Sequence, residues 1–261
     1  MPDSTHPARP LSPARAHLQR IAASQAAAPA QASAAGSEHE LLMAQLYEHT
    51  RQLKAIKSVE KKIEAKREFV AAYDTYLGGV IEADHGGADP IVTTLLVWNI
   101  DAGRYESALA IAEYVLQHNL QLPDQYQRDV PTLLADEFST AALTGAMPAD
   151  QQQALLASVG QITDARDMPD QARAKLHKAM GYALIGKHGS AEPDLDQVSD
   201  DHARTAEFHL SRALTLNPQA GVKKDLERLA RRLKGVPAST PADPRPGGPV
   251  GDGAGAQAPK A

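Results

Sequence analysis

The chain has 261 residues, 43% of them apolar and only 4% aromatic, enough for one or two domains with a core built mostly on small side chains. Its net charge is −5, so the molecule as a whole is no magnet for nucleic acid, and any such contact has to come from a local basic patch. It has no cysteine, which excludes disulfides, thiolate catalysis and Cys-based zinc sites.

Within the Ala- and Pro-rich first stretch, residues 1–37, Ser12-Pro13-Ala14 reads as a helix start. The serine can cap, and proline suits the first helical position because its missing N–H would be unpaired there anyway. A short helix over residues 13–28 is expected, with Leu18 and Ile21 on one side and too few apolar anchors to order it without a partner surface. Residues 38–82 carry the strongest helical signal. Leu42, Ile56, Ile63, Val70 and Leu77 share one seven-residue frame broken only by His49, while Leu46 and Leu53 form a second row that shifts to Val59 and Tyr73. The spacing predicts one long central helix, weakened near its end by Gly78-Gly79 and closed by the turn at residues 85–88. Asp89-Pro90 opens the next helix by cap and first-turn chemistry.

Residues 91–101 are apolar nearly all round and belong at the centre of a core. Residues 105–119 place Ala108, Ile111, Ala112, Val115 and Leu116 on one face, so the two segments form an antiparallel hairpin. Helices follow at 131–143, 149–159, 169–185, 201–216 and 219–233, with an acidic loop at 189–200. From residue 235 onward Pro, Gly and Ala dominate without period, the composition of a disordered tail. No alternating strand pattern of useful length occurs. The expected fold is all-α, a long central helix plus helical hairpins between disordered termini. The N-terminus lacks the apolar core of a signal peptide, and no segment approaches the roughly 20 apolar residues of a membrane span, so a reducing cytoplasm is the expected location.

Several short motifs carry a family resemblance. Met168-Pro169-Asp170, then Ala172-Arg173-Ala174-Lys175-Leu176-His177-Lys178 and Gly181, resembles the C-terminal block of the small terminase subunits of P2-like tailed phages, the GpM type. Ala220-Gly221-Val222-Lys223-Lys224 followed by Leu226-Glu227-Arg228-Leu229 is similar to the same block. Ser12-Pro13-Ala14 with His17 and Arg20, Leu53-Lys54-Ala55-Ile56, and Leu96-Val97-Trp98 with Asp101 and Gly103 match in the same order. The similarity spans Ser12 to Lys234. Residues 235–261 depart from it, because they hold only Arg245 and Lys260 where that family has a strongly basic C-terminus. The resemblance implies a protein of the host cytoplasm that recognises the packaging site on double-stranded viral DNA, assembles with itself into a ring and recruits a large subunit carrying the ATPase and nuclease. On it rests a division into an arm (1–37), a central helical DNA-binding and assembly core (38–160), a C-terminal helical docking domain (161–234) and a tail (235–261).

The residues themselves leave some choices open. Arg51, Lys54, Lys57, Lys61, Lys62 and Lys66 project from the helix face opposite Ile56, Ile63 and Val70, at about 100° per residue. Six cations on one rigid face match the phosphates of a duplex; the alternative is a solvated face laced with Glu–Lys pairs. Gly181-Tyr182-Ala183 with Ala206, His209, Leu210, Ala213 and Leu214 resembles a tetratricopeptide hairpin, either a docking surface or an isolated pair of helices. Glu192, Asp194, Asp196, Asp200 and Asp201, flanked by His188 and His202, lie in a loop with no strand to fix them as a two-metal nuclease requires. They read as capping residues, with Asp200 or Asp201 as N-cap. Gly186-Lys187 lacks the glycine and hydroxyl residue of a phosphate loop. The expectation is a subunit with no catalytic residues, metal or cofactor of its own. The family's label of endonuclease subunit keeps a metal-dependent nuclease as one alternative, and a helical adaptor without DNA affinity is the other.

Overall fold

The computed structural model describes residues 12–25, 34–124, 126–189 and 191–234. The expected tail at 235–261 and much of the expected arm lie outside these residues. The helices are α1 (Pro13–Gln25), α2 (Ala34–Ala55), α3 (Val59–Val70), α4 (Asp74–Ala83), α5 (Pro90–Asp101), α6 (Tyr105–Gln117), α7 (Val130–Thr144), α8 (Ala149–Thr163), α9 (Asp170–Leu184), α10 (Asp200–Leu216) and α11 (Lys223–Leu233). Single 3-10 turns at Ala71–Tyr73 and Leu195–Gln197 complete them, and no strand occurs among the described residues. The chain is all-α. No helix among the described residues is long and apolar enough to cross a membrane.

Local chemistry sets the boundaries. The Ser12 side chain accepts from the Arg15 N–H at 3.3 Å, so the Ser-Pro start of α1 is capped as expected. Asp89 caps α5 by accepting from the Ile91 N–H at 2.8 Å, with Pro90 in its first turn. The same carboxylate accepts from the Tyr76 hydroxyl at 2.6 Å, which ties α4 to the cap of α5. At α10 the cap is Ser199, whose hydroxyl accepts from the His202 N–H, rather than either aspartate that follows it. Asp200 and Asp201 occupy the first turn, where their charge meets the positive end of the helix dipole.

The expected single rod over residues 38–82 is three helices. The chain leaves helical geometry at residues 56–58, and Ser58 caps a new helix by accepting from the Lys61 N–H at 3.3 Å. The second apolar row loses register at the same place. Leu46 and Leu53 are buried, whereas Val59 is 72% exposed. Gly78-Gly79 does not end α4, which continues to Ala83. Gly79 instead admits α1: a Cβ there would stand 3.0 Å from the Ala23 Cβ and 3.2 Å from the Arg20 Cα. The N-terminal helix therefore packs on this chain's own α4 and α2, with Ala22 and Ala23 buried.

Two cores result. The larger one gathers side chains from α1 to α9, including Leu42, Val70, Leu95, Trp98, Ile111, Leu134, Leu156 and Leu176. The central position of α5 is as expected, since every residue from Ile91 to Ile100 is buried. Most of the seven-residue row, Leu42, Val70 and Leu77 foremost, is consumed in this intramolecular core. The smaller core joins Tyr182 and Ile185 to Ala203, Ala206, Leu210, Val222, Leu229 and Leu233. Helix α9 is the bridge, giving Leu176 and Ala179 to one core and Tyr182 to the other.

Candidate nucleic-acid interface

The six cations of the central segment occupy different environments. Lys54 is exposed near the end of α2, Lys57 is exposed in the break, and Lys61 is exposed in the first turn of α3. Lys62 is half-buried. Among the described residues none of these four lysine ammonium groups makes an ion pair. Arg51 is exposed but engaged by Glu48 through two hydrogen bonds of 2.7 and 2.8 Å. Those bonds, with one from Gln52, hold the Glu48 carboxyl down at about 2.

Lys66 is a structural residue. Its side chain is only 17% exposed and pairs with Asp101 at the end of α5. Beside it the Arg67 guanidinium donates to the Ala102 carbonyl at 3.1 Å. Together they clamp α3 onto the C-terminal end of α5. A bidentate pair of 2.8 and 2.9 Å between Arg104 and Asp74 adds a second clamp from the start of α6 to α4. The six side chains thus do not form one uninterrupted row, because the helix break and two acidic partners divide them. Four remain free to meet an anion, gathered on either side of the α2–α3 break.

Next to this break is a groove of about 470 Å³ between α2, α5 and the connection after α6. Met43, Leu46, Tyr47, Arg51 and Lys54 of α2 line it with Thr94 of α5 and Pro123. The Tyr47 ring is 74% exposed.

The acidic loop is held by α11. Arg228 pairs with Glu192 and donates to the Pro193 carbonyl, while Arg232 pairs with Asp200 at 2.9 Å and donates to the carbonyls of Leu195 and Val198. Asp194 accepts from the Asp196 N–H. Among the described residues no group of three or more His, Asp or Glu side chains is arranged to hold a metal. Lys187 belongs to the smaller core. It donates to both oxygens of buried Asp225, at 2.8 and 3.0 Å, and Asp225 also accepts from the Tyr182 hydroxyl at 2.7 Å. Burial, reinforced by this carboxylate, pushes the Tyr182 phenol upward. The outer face of α11 exposes Lys223, Lys224, Arg231 and Lys234, a second cationic surface not singled out in the sequence although its run of basic residues is written there.

Comparison with known proteins places these features among relatives. A family model described as the phage small terminase subunit matches residues 43–171. Over 235 residues the chain is 36% identical to the "Terminase, endonuclease subunit" of Escherichia phage P2, covering 88% of this chain and 89% of that protein. No solved structure matches significantly.

Proposed function

The chain belongs to the phage small terminase subunit family, and on that premise we propose that it binds double-stranded viral DNA at the packaging site and recruits the large subunit that hydrolyses ATP and cuts. It acts in the host cytoplasm as a homo-oligomer. The observation that carries the reading is the set of unpaired lysines at the α2–α3 break, Lys54, Lys57, Lys61 and Lys62. A net charge of −5 makes general attraction to DNA unfavourable, so a local cluster is what such binding requires. The clamps at Lys66, Arg67 and Arg104 support it by tying α3 to the end of α5 and α4 to the start of α6 next to the cluster.

The test is salt-dependent DNA binding by the full chain and by a variant with Lys54, Lys57, Lys61 and Lys62 all changed to Glu. Each lysine lost from a phosphate contact lowers the slope of log K against log salt by about 0.9. The variant should bind weakly and with a shallow slope. Unchanged affinity and slope would remove the proposed surface and move the DNA contact elsewhere, whereas no binding by the full chain would leave the adaptor reading.

The P2 relative's name attaches an endonuclease to that protein. For this chain we assign cleavage to the large subunit. Glu192 and Asp200 are occupied by arginines and Asp194 by a backbone N–H, which leaves few of the loop's carboxylates free to share a metal. Incubation of the purified chain with duplex DNA and magnesium or manganese should leave the DNA intact. Cutting that disappears when Asp194 and Asp196 become Asn would reverse the assignment.

A further inference from the structure

We propose that Tyr47 is a base-contacting residue of the DNA surface, lining a groove whose unpaired Lys54, with Lys57 and Lys61 beside it, holds the adjoining phosphates; this rests on the DNA-binding reading above. Among the described residues Tyr47 is the most exposed large apolar side chain, at 74%. Arg51 and Lys54 follow it at four and seven positions, which sets all three on one face of α2. The three line the same groove of about 470 Å³ together with the apolar side chains of Met43 and Leu46. Asp124 is the one acidic residue lining it, and the cations continue beyond it at Lys57 and Lys61.

An exposed aromatic ring in a groove lined by apolar side chains, beside unpaired lysines, suits a ligand that carries flat rings on an anionic chain. Nucleic acid has that chemistry, with bases stacking on the ring and phosphates on the side-chain charges. Lysines alone read only charge, and positioning on phosphates carries no sequence information. An aromatic side chain meets bases where a duplex step is kinked or unpaired, so Tyr47 would confer preference for deformable DNA. A tyrosine beside an arginine is also a composition found at protein interfaces. Arg51 is engaged by Glu48 and Asp124 lines the groove, so the charge that favours the polyanion is that of unpaired Lys54 and of Lys57 and Lys61 beside it.

The experiment compares a duplex oligonucleotide with the same duplex carrying a central unpaired bubble, by fluorescence anisotropy, for the full chain and for Tyr47→Ala, Tyr47→Phe and the four-lysine variant. Stacking of one base contributes about a five-fold or greater preference. Wild type and Tyr47→Phe should prefer the bubble by that factor. Tyr47→Ala should bind both probes alike with an unchanged salt slope. The four-lysine variant should weaken on both probes together. Equal binding of the two probes by wild type, or a preference that survives Tyr47→Ala, overturns the proposal while leaving the lysine surface standing. Loss of self-association in Tyr47→Ala with unaltered DNA preference would assign the groove to protein contact and overturn it too. Absence of any DNA binding by wild type would instead remove the reading beneath it.

Discussion

Lys62 and Lys66 stand one helical turn apart in α3, and their surroundings give them opposite duties. Lys62 has no ion-pair partner among the described residues, whereas Lys66 is withdrawn from water and paired with Asp101. Lys66→Ala should lower stability by on the order of 1 kcal/mol, an ion-pair magnitude, and leave the salt slope of DNA binding unchanged. Lys62→Ala should do the reverse, which thermal unfolding and anisotropy titrations read separately. A different pair sets a pH limit. The Nδ1 atoms of His177 in α9 and His209 in α10 are 2.9 Å apart, with ring centroids 5.2 Å apart. One Nδ1 donates its N–H to the other, so the two rings cannot both be protonated while the bond holds. Burial first, then His209, Arg212 and Arg173, hold His177 down at about 4 against the partial opposition of Asp164. Burial lowers His209 as well. A folded pKa below the unfolded value near 6.5 means that the unfolded chain takes up protons first, so stability is full above that pH and falls between about 6.5 and 4. Replacing both histidines by Gln should flatten this part of the curve of melting temperature against pH.

At the scale of the element, one side chain caps the restart of the chain after the break between α2 and α3. Ser58 offers a hydroxyl to the Lys61 N–H, and a serine that satisfies an otherwise orphaned N–H favours a helix start over a helix interior. Ser58→Ala should cost about 1 kcal/mol, seen as a lower unfolding midpoint in urea at constant m-value. The contact between α9 and α10 depends on Gly181. A Cβ there would meet the Leu210 Cδ2 at 2.7 Å and the Ala206 carbonyl at 3.3 Å, so the helices approach over a missing side chain. Gly181→Ala forces the buried leucine or the backbone to shift. It should destabilise the chain by about 1–3 kcal/mol despite alanine's better helix propensity. A rise in melting temperature would show that this interface yields without strain. The small residues at this hairpin were visible in the sequence as a stripe, and the close packing they permit is their physical use.

For the whole molecule the joint between the two cores matters most. Helix α9 contributes to both, and α11 reaches back to it through Asp225, Lys187 and Tyr182. Asp225→Ala leaves the Lys187 ammonium, 15% exposed, without its partner. Breaking a buried pair from one side costs about 3–5 kcal/mol. Because Arg228 and Arg232 on α11 also hold the loop before α10, the variant should lose amide protection in α11 and that loop together, while α5 keeps its own. Protection lost equally in α5 would mean that the cores open as one unit.

Helix class, the central place of α5 and the caps at Ser12 and Asp89 were all legible in the sequence. They follow from periods of three to four residues and from side chains that bond their own neighbours, and such interactions are complete within a short stretch of chain. The basic residues were equally legible as a cluster. Which of them remain free was not, because the answer lies in partners such as Asp101, 35 positions from Lys66. The same holds for Gly79, a flaw in a helix when read locally and a seat for α1 once the chain has folded back on it. Local hydrogen-bonding and apolar rhythm determined the elements, and long-range contacts decided which side chains those elements consume and which they leave to solvent.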